Sequence, residues 1–318
     1  MNGPATEGER SARLVREIFL AGFMSGLPPE NVAWATHRLA RNMQDVHLAA
    51  GEVLYRQGDP TTAHYFVVYG EMRLAAEGVP AWTLGERSLV GTIDLTLDRA
   101  RTRTATATRD THLLMMPASD WLDMLEDNFE LMLRGVEGLA EGVHELRIGV
   151  GGGKSAAPAR LRPFERSSES GPLGLVDRVV LLRGVPLFAG AEVQALLDLA
   201  AHAVEVDVEA GAVVTVHSET NDAMYVLVSG EVTALASPIV PPETFGPGAL
   251  LFGSCAATSR DLGCEARATT PSRLLRVVRE DYFDAMEEHF GLARSSMKAL
   301  AAEREILANE RARRAESV

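Results

Sequence analysis

The chain has 318 residues, 46% of them apolar, with a formal charge of −13 and two cysteines. That length holds two domains with cores of their own, and the acidic balance argues against general nucleic-acid binding, which needs a basic footprint. No apolar run approaches the roughly 20 residues of a bilayer span, and MNGPATEGERSARLVREIFL lacks the layout of a signal peptide, so a cytoplasmic protein without membrane contact is expected.

Residues from about 10 to 43 read as helices, because LVREIFLAGFM has helical spacing and PPENVAWATHRLARNM opens with prolines suited to a helix start. From Val46 to Met116 the pattern changes to short runs rich in strand formers, such as HYFVV, punctuated by glycine and by turn signals. Eight or so short strands at this pitch predict an antiparallel sandwich or jelly roll. A helix begins near Pro117 and continues far. Phe129, Met132, Val136, Leu139, Val143, Leu146 and Val150 step alternately by three and four, the spacing of a coiled-coil seam. This seam predicts a homodimer or another protein partner; the alternative is a helix packed on its own domain. Gly135, Gly138, Gly142 and Gly149 interrupt it, each at a cost of about 1 kcal/mol against alanine.

Residues 151–173 are rich in Gly, Ser, Pro and charge and read as a flexible linker. The layout then repeats. LVDRVVLLRGVPLFAGAEVQALLDLAAHAV is helical, Val204 to Val277 are mostly short strands, and a final helix starts near Glu280. The repeat is visible in the glycines: Gly51, Gly58, Gly70, Gly85 and Gly91 recur as Gly211, Ser218, Gly230, Gly246 and Gly253, with offsets of 160 three times, then 161 and 162. A period this long is a whole domain used twice. The expected domains are 10–150 with its closing helix, the linker 151–173, and 174–318 with its closing helix. The fold class is mainly β with α: two tandem jelly rolls, each framed by helices.

AGEVLYRQGDPTTAHYFVVYGEMRL and AGAVVTVHSETNDAMYVLVSGEV carry a resemblance. Both halves resemble the cyclic-nucleotide-binding domain of catabolite-activator-type regulators and kinase regulatory subunits, over roughly residues 17–147 and 176–305. In that family an anionic ligand sits on a segment of the form Phe-Gly-Glu, short helix, Pro-Arg-Ala-Ala-Thr. Glycine exposes backbone N–H groups to phosphate, glutamate accepts from a ribose hydroxyl, and arginine bonds the phosphate. In the first copy the resemblance implies a ligand site at Gly91, Thr92, Arg101, Thr102 and Thr104. Thr92 stands where the glutamate is expected, Asp94 where an alanine is, and the Thr102 hydroxyl is a faint hint of cGMP. The alternative for Arg99, Arg101 and Arg103 is an exposed basic strand edge, or pairing with nearby acids. In the second copy Gly253 and Ser254 open the segment, and Leu262 or Gly263 falls where the arginine should be. Without that cation a phosphate loses about 2 kcal/mol or more of charge-assisted bonding, so this pocket is expected to be degenerate.

The functional expectation is a non-enzymatic regulatory protein whose first domain senses cAMP, cGMP or another cyclic nucleotide. The alternative is a ligand-free adaptor or scaffold using both jelly rolls as surfaces. A transcription regulator ranks last, because neither copy is followed by a helix-turn-helix. No Walker, HExxH or GxSxG motif is present, and Gly153-Lys154-Ser155 lacks the opening glycine of a phosphate loop. No CxxC pair or His/Cys cluster marks a metal site, so none is expected. His64 and His112 read as core or surface residues. Cys255 and Cys264 read as small buried apolar residues of a reduced protein.

Overall fold

The computed structural model describes residues 36–37, 40–149, 171–215, 222–235, 242–258 and 265–316. The helices expected before residue 36, most of the linker 151–173, Val150, Leu262 and Cys264 lie outside them. The chain divides into two compact units, Met1–Arg134 and Gly135–Val318.

Unit 1 contains β1 (Gln44–Leu48), β2 (Val53–Tyr55), β3 (Ala63–Tyr69), β4 (Met72–Ala76), β5 (Val79–Leu84), β6 (Leu89–Val90), a one-turn α1 (Thr92–Thr96), β7 (Thr104–Ala107), β8 (Thr111–Pro117) and α2 (Ala118–Asp127). The strands make two four-stranded antiparallel sheets, ordered β1-β8-β3-β6 and β2-β7-β4-β5, which is the expected jelly roll. Alternation builds the core. Val46 and Leu48 of β1 turn inward while Asp45 and His47 face solvent, and Tyr55, Val67, Met72, Leu74, Val90, Ala105, Ala107 and Leu113 meet in the centre.

After α3 (Phe129–Gly149), the second unit continues with α4 (Leu175–Arg183), α5 (Val193–His202), β9 (Val204–Val208), β10 (Val213–Thr215), β11 (Ala223–Ser229), β12 (Val232–Leu235), β13 (Glu243–Phe245) and β14 (Leu250–Leu251). It ends with α6 (Gly253–Thr258), β15 (Glu265–Ala268), β16 (Ser272–Val278), α7 (Arg279–Glu288) and α8 (Phe290–Glu316). Its sheets run β9-β16-β11-β14 and β10-β15-β12-β13, strand for strand the order of the first unit.

The same corner is built twice. Gly70, at φ +101°, lies between β3 and β4, where a Cβ would stand 2.6 Å from the Thr111 Cα. The Thr111 hydroxyl accepts from the Glu71 N–H at 3.1 Å, and Thr108 donates to the Glu71 carboxylate at 2.7 Å. Gly230, Ser272, Glu231 and Thr269 reproduce these contacts at 3.0 and 2.6 Å. Glycine is required here for conformation and for space at once.

Asn128 caps α3, its side-chain oxygen accepting from the Leu131 N–H at 2.9 Å. Of the expected dimer seam, Met132, Val136 and Val143 are buried within the single chain and Phe129, Leu139 and Leu146 are half-buried. From residue 135 onward α3 belongs to the second unit, so the division falls inside this helix rather than at 150. There α8 lies against it: a Cβ on Gly135 would meet the Met297 methyl at 3.2 Å and one on Gly142 the Arg304 Nε at 2.7 Å. Glu137 reaches Arg279 at 3.7 Å. The small residues admit a helix of the same chain beside the stripe.

Gly51 separates the two demands made on Gly70. It also has a left-handed φ, +90°, but a Cβ there meets nothing within 4 Å. Gly51→Ala is expected to cost about 1–2 kcal/mol and Gly70→Ala more than about 3 kcal/mol. Trp34, Trp82 and Trp121 all fall in the first unit, so urea unfolding followed by tryptophan fluorescence reads this unit. Equal losses in the two variants would contradict the steric account.

Candidate functional site

The site is built where the loop after β6, the turn before β7 and the start of β3 meet. Gly91 precedes α1 with φ +80°. Its conformation brings its carbonyl onto Arg101, whose Nη1 donates to it at 2.8 Å; Nη2 donates to the Ala63 carbonyl. A Cβ on Gly91 would stand 2.2 Å from Nη1 and 2.9 Å from Cζ, so only glycine lets the guanidinium approach. The Arg101 backbone is pinned on both sides, its N–H donating to the Asp59 carbonyl and its carbonyl accepting from Gly58, each at 2.9 Å.

Arg101 is 3% exposed. Its guanidinium lies over the Tyr55 ring, 4.2 Å from the centroid, and its Nε has no hydrogen-bond partner. Among the described residues no carboxylate bonds it. Burial pushes the Tyr55 phenol above its ordinary pKa, opposed by the Arg101 charge, and the phenol oxygen has no partner. Arg103, also 3% exposed, lies over Trp82 at 3.7 Å. Arg99 pairs with Asp94 at 2.9 Å. The arginine triplet is therefore not an exposed strand edge. Alternation from Arg101 to Ala107 turns every second residue inward, and the two inward cations rest on aromatic faces.

The three threonines expected at the ligand are engaged inside the protein. Thr92 Oγ1 lies 3.2 Å from His64 Nδ1, Thr102 donates to Asp94 at 2.9 Å, and Thr104 accepts from the Gln57 N–H at 3.0 Å. Asp94 also accepts from the Thr102 N–H at 3.2 Å. Its charge is thus spent on Arg99 and Thr102, which removes the conflict an acid in this segment posed.

From the sequence, His64 reads as a core or surface residue and has no place in the site. It is fully buried beside Phe66 and beside Trp121 of α2, whose ring centroids are 5.1 and 4.8 Å away, and its Nε2 has no partner. Burial first, and the Arg101 charge second, lower its pKa to about 3, so the ring is neutral at pH 7. Strand alternation was the one available signal, since His64 precedes inward-facing Phe66 by two residues.

The second unit departs from the glycine spacing here. Val90 pairs with Tyr65 and Leu251 with Tyr225, while Ala107 and Ala268 close the following strands. A uniform offset of 161 results, and the residue at the place of Gly91 is Phe252, left-handed at φ +64°, not Gly253. Gly253 then takes the place of Thr92, and buried Ser254 that of Ile93. By chain position Leu262 stands at the place of Arg101. Met224, fully buried, stands at that of His64, since each pairs one residue in from the strand end. Arg267 is exposed beside Glu265 and donates to the Gly211 carbonyl at 3.2 Å, away from this position.

Two outcomes are expected. The unfolded chain takes up a proton at His64 near 6.5 and the folded unit only near 3. The unfolded state binds more protons between these values, so stability falls as pH drops below about 6.5, with a limiting slope of about 1.4 kcal/mol per pH unit. In urea unfolding between pH 7 and 5, His64→Gln is expected to show a shallower decline than the parent; parallel declines would refute the buried neutral ring. For the close approach, Gly91→Ala is expected to cost about 2–4 kcal/mol, and at least about 1 kcal/mol less in an Arg101→Ala background. A double-mutant cycle with no coupling would show that the contact does not constrain Gly91.

Comparison with known proteins places the site in a family. Residues 45–128 match the family model of the cyclic nucleotide-binding domain. A stretch of 79 residues, 23% of this chain, is 34% identical to lysophospholipase nte1 of Aspergillus oryzae, and spans 5% of that protein's length. Among solved structures, the regulatory domain of Toxoplasma gondii PKA with cAMP is 15% identical, at 99% coverage of both chains and a TM-score of 0.33. The regulatory subunit of a cAMP-independent protein kinase A from Trypanosoma cruzi, bound to guanosine, is 14% identical, covering 90% of this chain and 89% of that one at a TM-score of 0.34. With the strand order, the left-handed Gly91 and the buried Arg101 already in place, residues 45–128 are a domain of the cyclic nucleotide-binding family.

Proposed function

We propose that the first unit is the sensing domain of a non-enzymatic regulatory protein, and that Arg101 recognises the phosphate of a cyclic mononucleotide such as cAMP or cGMP. One observation carries this reading: a guanidinium 3% exposed, held by two carbonyls and a ring, with a buried unpaired Nε and no carboxylate bonded to it among the described residues. A buried cation is costly unless an anion compensates it, and an incoming phosphate supplies that anion. The remaining residues of the proposed site are Gly91 and Thr92 at the start of α1, and Thr102 and Thr104, whose side chains alternate to the face opposite that of Arg101. Thr92 must leave His64, or Thr102 leave Asp94, for either hydroxyl to serve a ligand. His64 touches Thr92 on one side and Trp121 on the other, so a rearranged Thr92 is felt at α2 through a single side chain. A ligand that favours one arrangement of this chain of contacts shifts the position of α2, which is the regulatory output.

The adaptor reading draws on the same threonines. All three hydroxyls already have intramolecular partners, and no glutamate stands ready for a ribose. In that reading both jelly rolls are protein-binding surfaces, and in the second unit Phe252 and Met224 stand in place of Gly91 and His64. No helix among the described residues is long and apolar enough to cross a membrane. We place the protein in the cytoplasm with a protein partner, a second copy or another chain.

Isothermal titration with cAMP and cGMP separates the two readings. Binding by the parent chain, weakened about 10- to 150-fold by Arg101→Ala, is the outcome expected for loss of a charge-assisted bond pair. No heat with either nucleotide would leave the adaptor reading standing.

A further inference from the structure

From the side-chain cluster on the outer face of the first unit, independent of the nucleotide reading, we propose that Asp45, His47 and His112 form a binding site for a divalent transition-metal ion of the zinc class. His47 and His112 are directly paired across β1 and β8. Asp45 precedes His47 by two residues and therefore shares its solvent face. One donor atom from each of the three residues lies within 4.8 Å of the others. The two imidazoles are stacked, 4.3 Å between centroids and 15° between planes, and His112 Nε2 is 2.8 Å from an Asp45 oxygen. Tyr69 closes the other side, 5.6 Å from His112, and is 47% exposed.

A tetrahedral ion needs the three donors closer together than they stand and the two ring planes turned toward it. Zinc bonds of about 2.0–2.2 Å put neighbouring donors roughly 3.4 Å apart. Reaching that from the present spread takes side-chain rotation, which exposed Asp45 and His47 allow about a half-buried His112. The strands already fix the three Cα positions, so little backbone ordering is left to cost affinity. Charge points the same way. Two stacked imidazolium rings repel, whereas two neutral rings and a carboxylate converging on one dication do not. Two imidazoles with one carboxylate select zinc, cobalt, nickel or copper over magnesium and calcium, which take oxygen ligands. Three protein ligands leave a coordination position for water. The ion would tie β1, at the edge of its sheet, to central β8.

The full chain, freed of metal by chelation, is titrated with cobalt(II) and with zinc(II) by calorimetry. One ion per chain with a dissociation constant on the order of micromolar is expected, and a raised melting temperature with added cobalt. His47→Gln and His112→Gln keep polar groups on an exposed face and are each expected to weaken binding at least about tenfold. His289→Gln, in the second cluster of Asp198, Glu288 and His289, is expected to leave the affinity unchanged. No binding up to about 1 mM would overturn the site. So would affinity unchanged in His47→Gln and His112→Gln, or lost in His289→Gln instead.

Discussion

The contact between Gly91 and Arg101 organises the first unit. A guanidinium enters the interior only if backbone carbonyls meet it, and the carbonyl of Gly91 does so because the residue is left-handed and has no Cβ. The glycine and the arginine are therefore one specification written at two positions. Neighbouring departures from the family pattern follow from it. With the cation facing inward, Tyr55 stacks beneath it and His64 is held neutral beside it. The polar groups of α1 turn to intramolecular partners: Thr92 to His64, and Asp94 to Arg99 and Thr102.

The second unit shows what happens when that specification is dropped. Phe252 takes the left-handed position that Gly91 holds, and its ring packs against the core and edge-on to Tyr225 at 6.4 Å. Met224 replaces His64, and Leu262 stands at the chain position of Arg101. A side chain at the glycine position and an arginine at the other cannot coexist in this geometry, so the two losses belong together. An apolar set is also self-sufficient. It has no charge to compensate and no donor left over.

Much of this was legible in the sequence, for reasons that differ by residue. The doubled jelly roll was visible because Gly70 and Gly230 answer a local demand that the letter itself reveals. Arg101 was found by counting, since the segment from Gly91 to Leu113 matches the family spacing. The direction it faces was not visible, nor was the fate of Asp94, because five residues of helix bring Asp94 back to Arg99 and Thr102 only after folding. Matching glycine to glycine mispaired Gly91 with Gly253. Backbone conformation repeats between the units more faithfully than residue type, as Arg87 and Gly248 also show, both left-handed and 161 residues apart. The heptad stripe of α3 was correct as a stripe, but periodicity says only that a face is covered. Met297 and Arg304, more than 150 residues away in the chain, lie against Gly135 and Gly142 of the same helix. The His47–His112 pair required the register of β1 against β8, which no local pattern states.

The two units thus differ in how their interiors treat charge. Turn corners such as Gly70–Thr111 and Gly230–Ser272 are satisfied by their own hydrogen bonds, and both copies keep them. A buried guanidinium is different, because two carbonyls carry only partial charge and leave its Nε unpaired. Such a group destabilises a domain relative to an apolar replacement of similar volume. In the second unit the described counterparts of Gly91 and His64 are the apolar Phe252 and Met224. What remains in the first is an interior cation met by the carbonyl of a left-handed glycine, beside a buried His64 that packs on Trp121 of α2. Folding alone does not call for it, as the second unit shows by completing the same strand order without it.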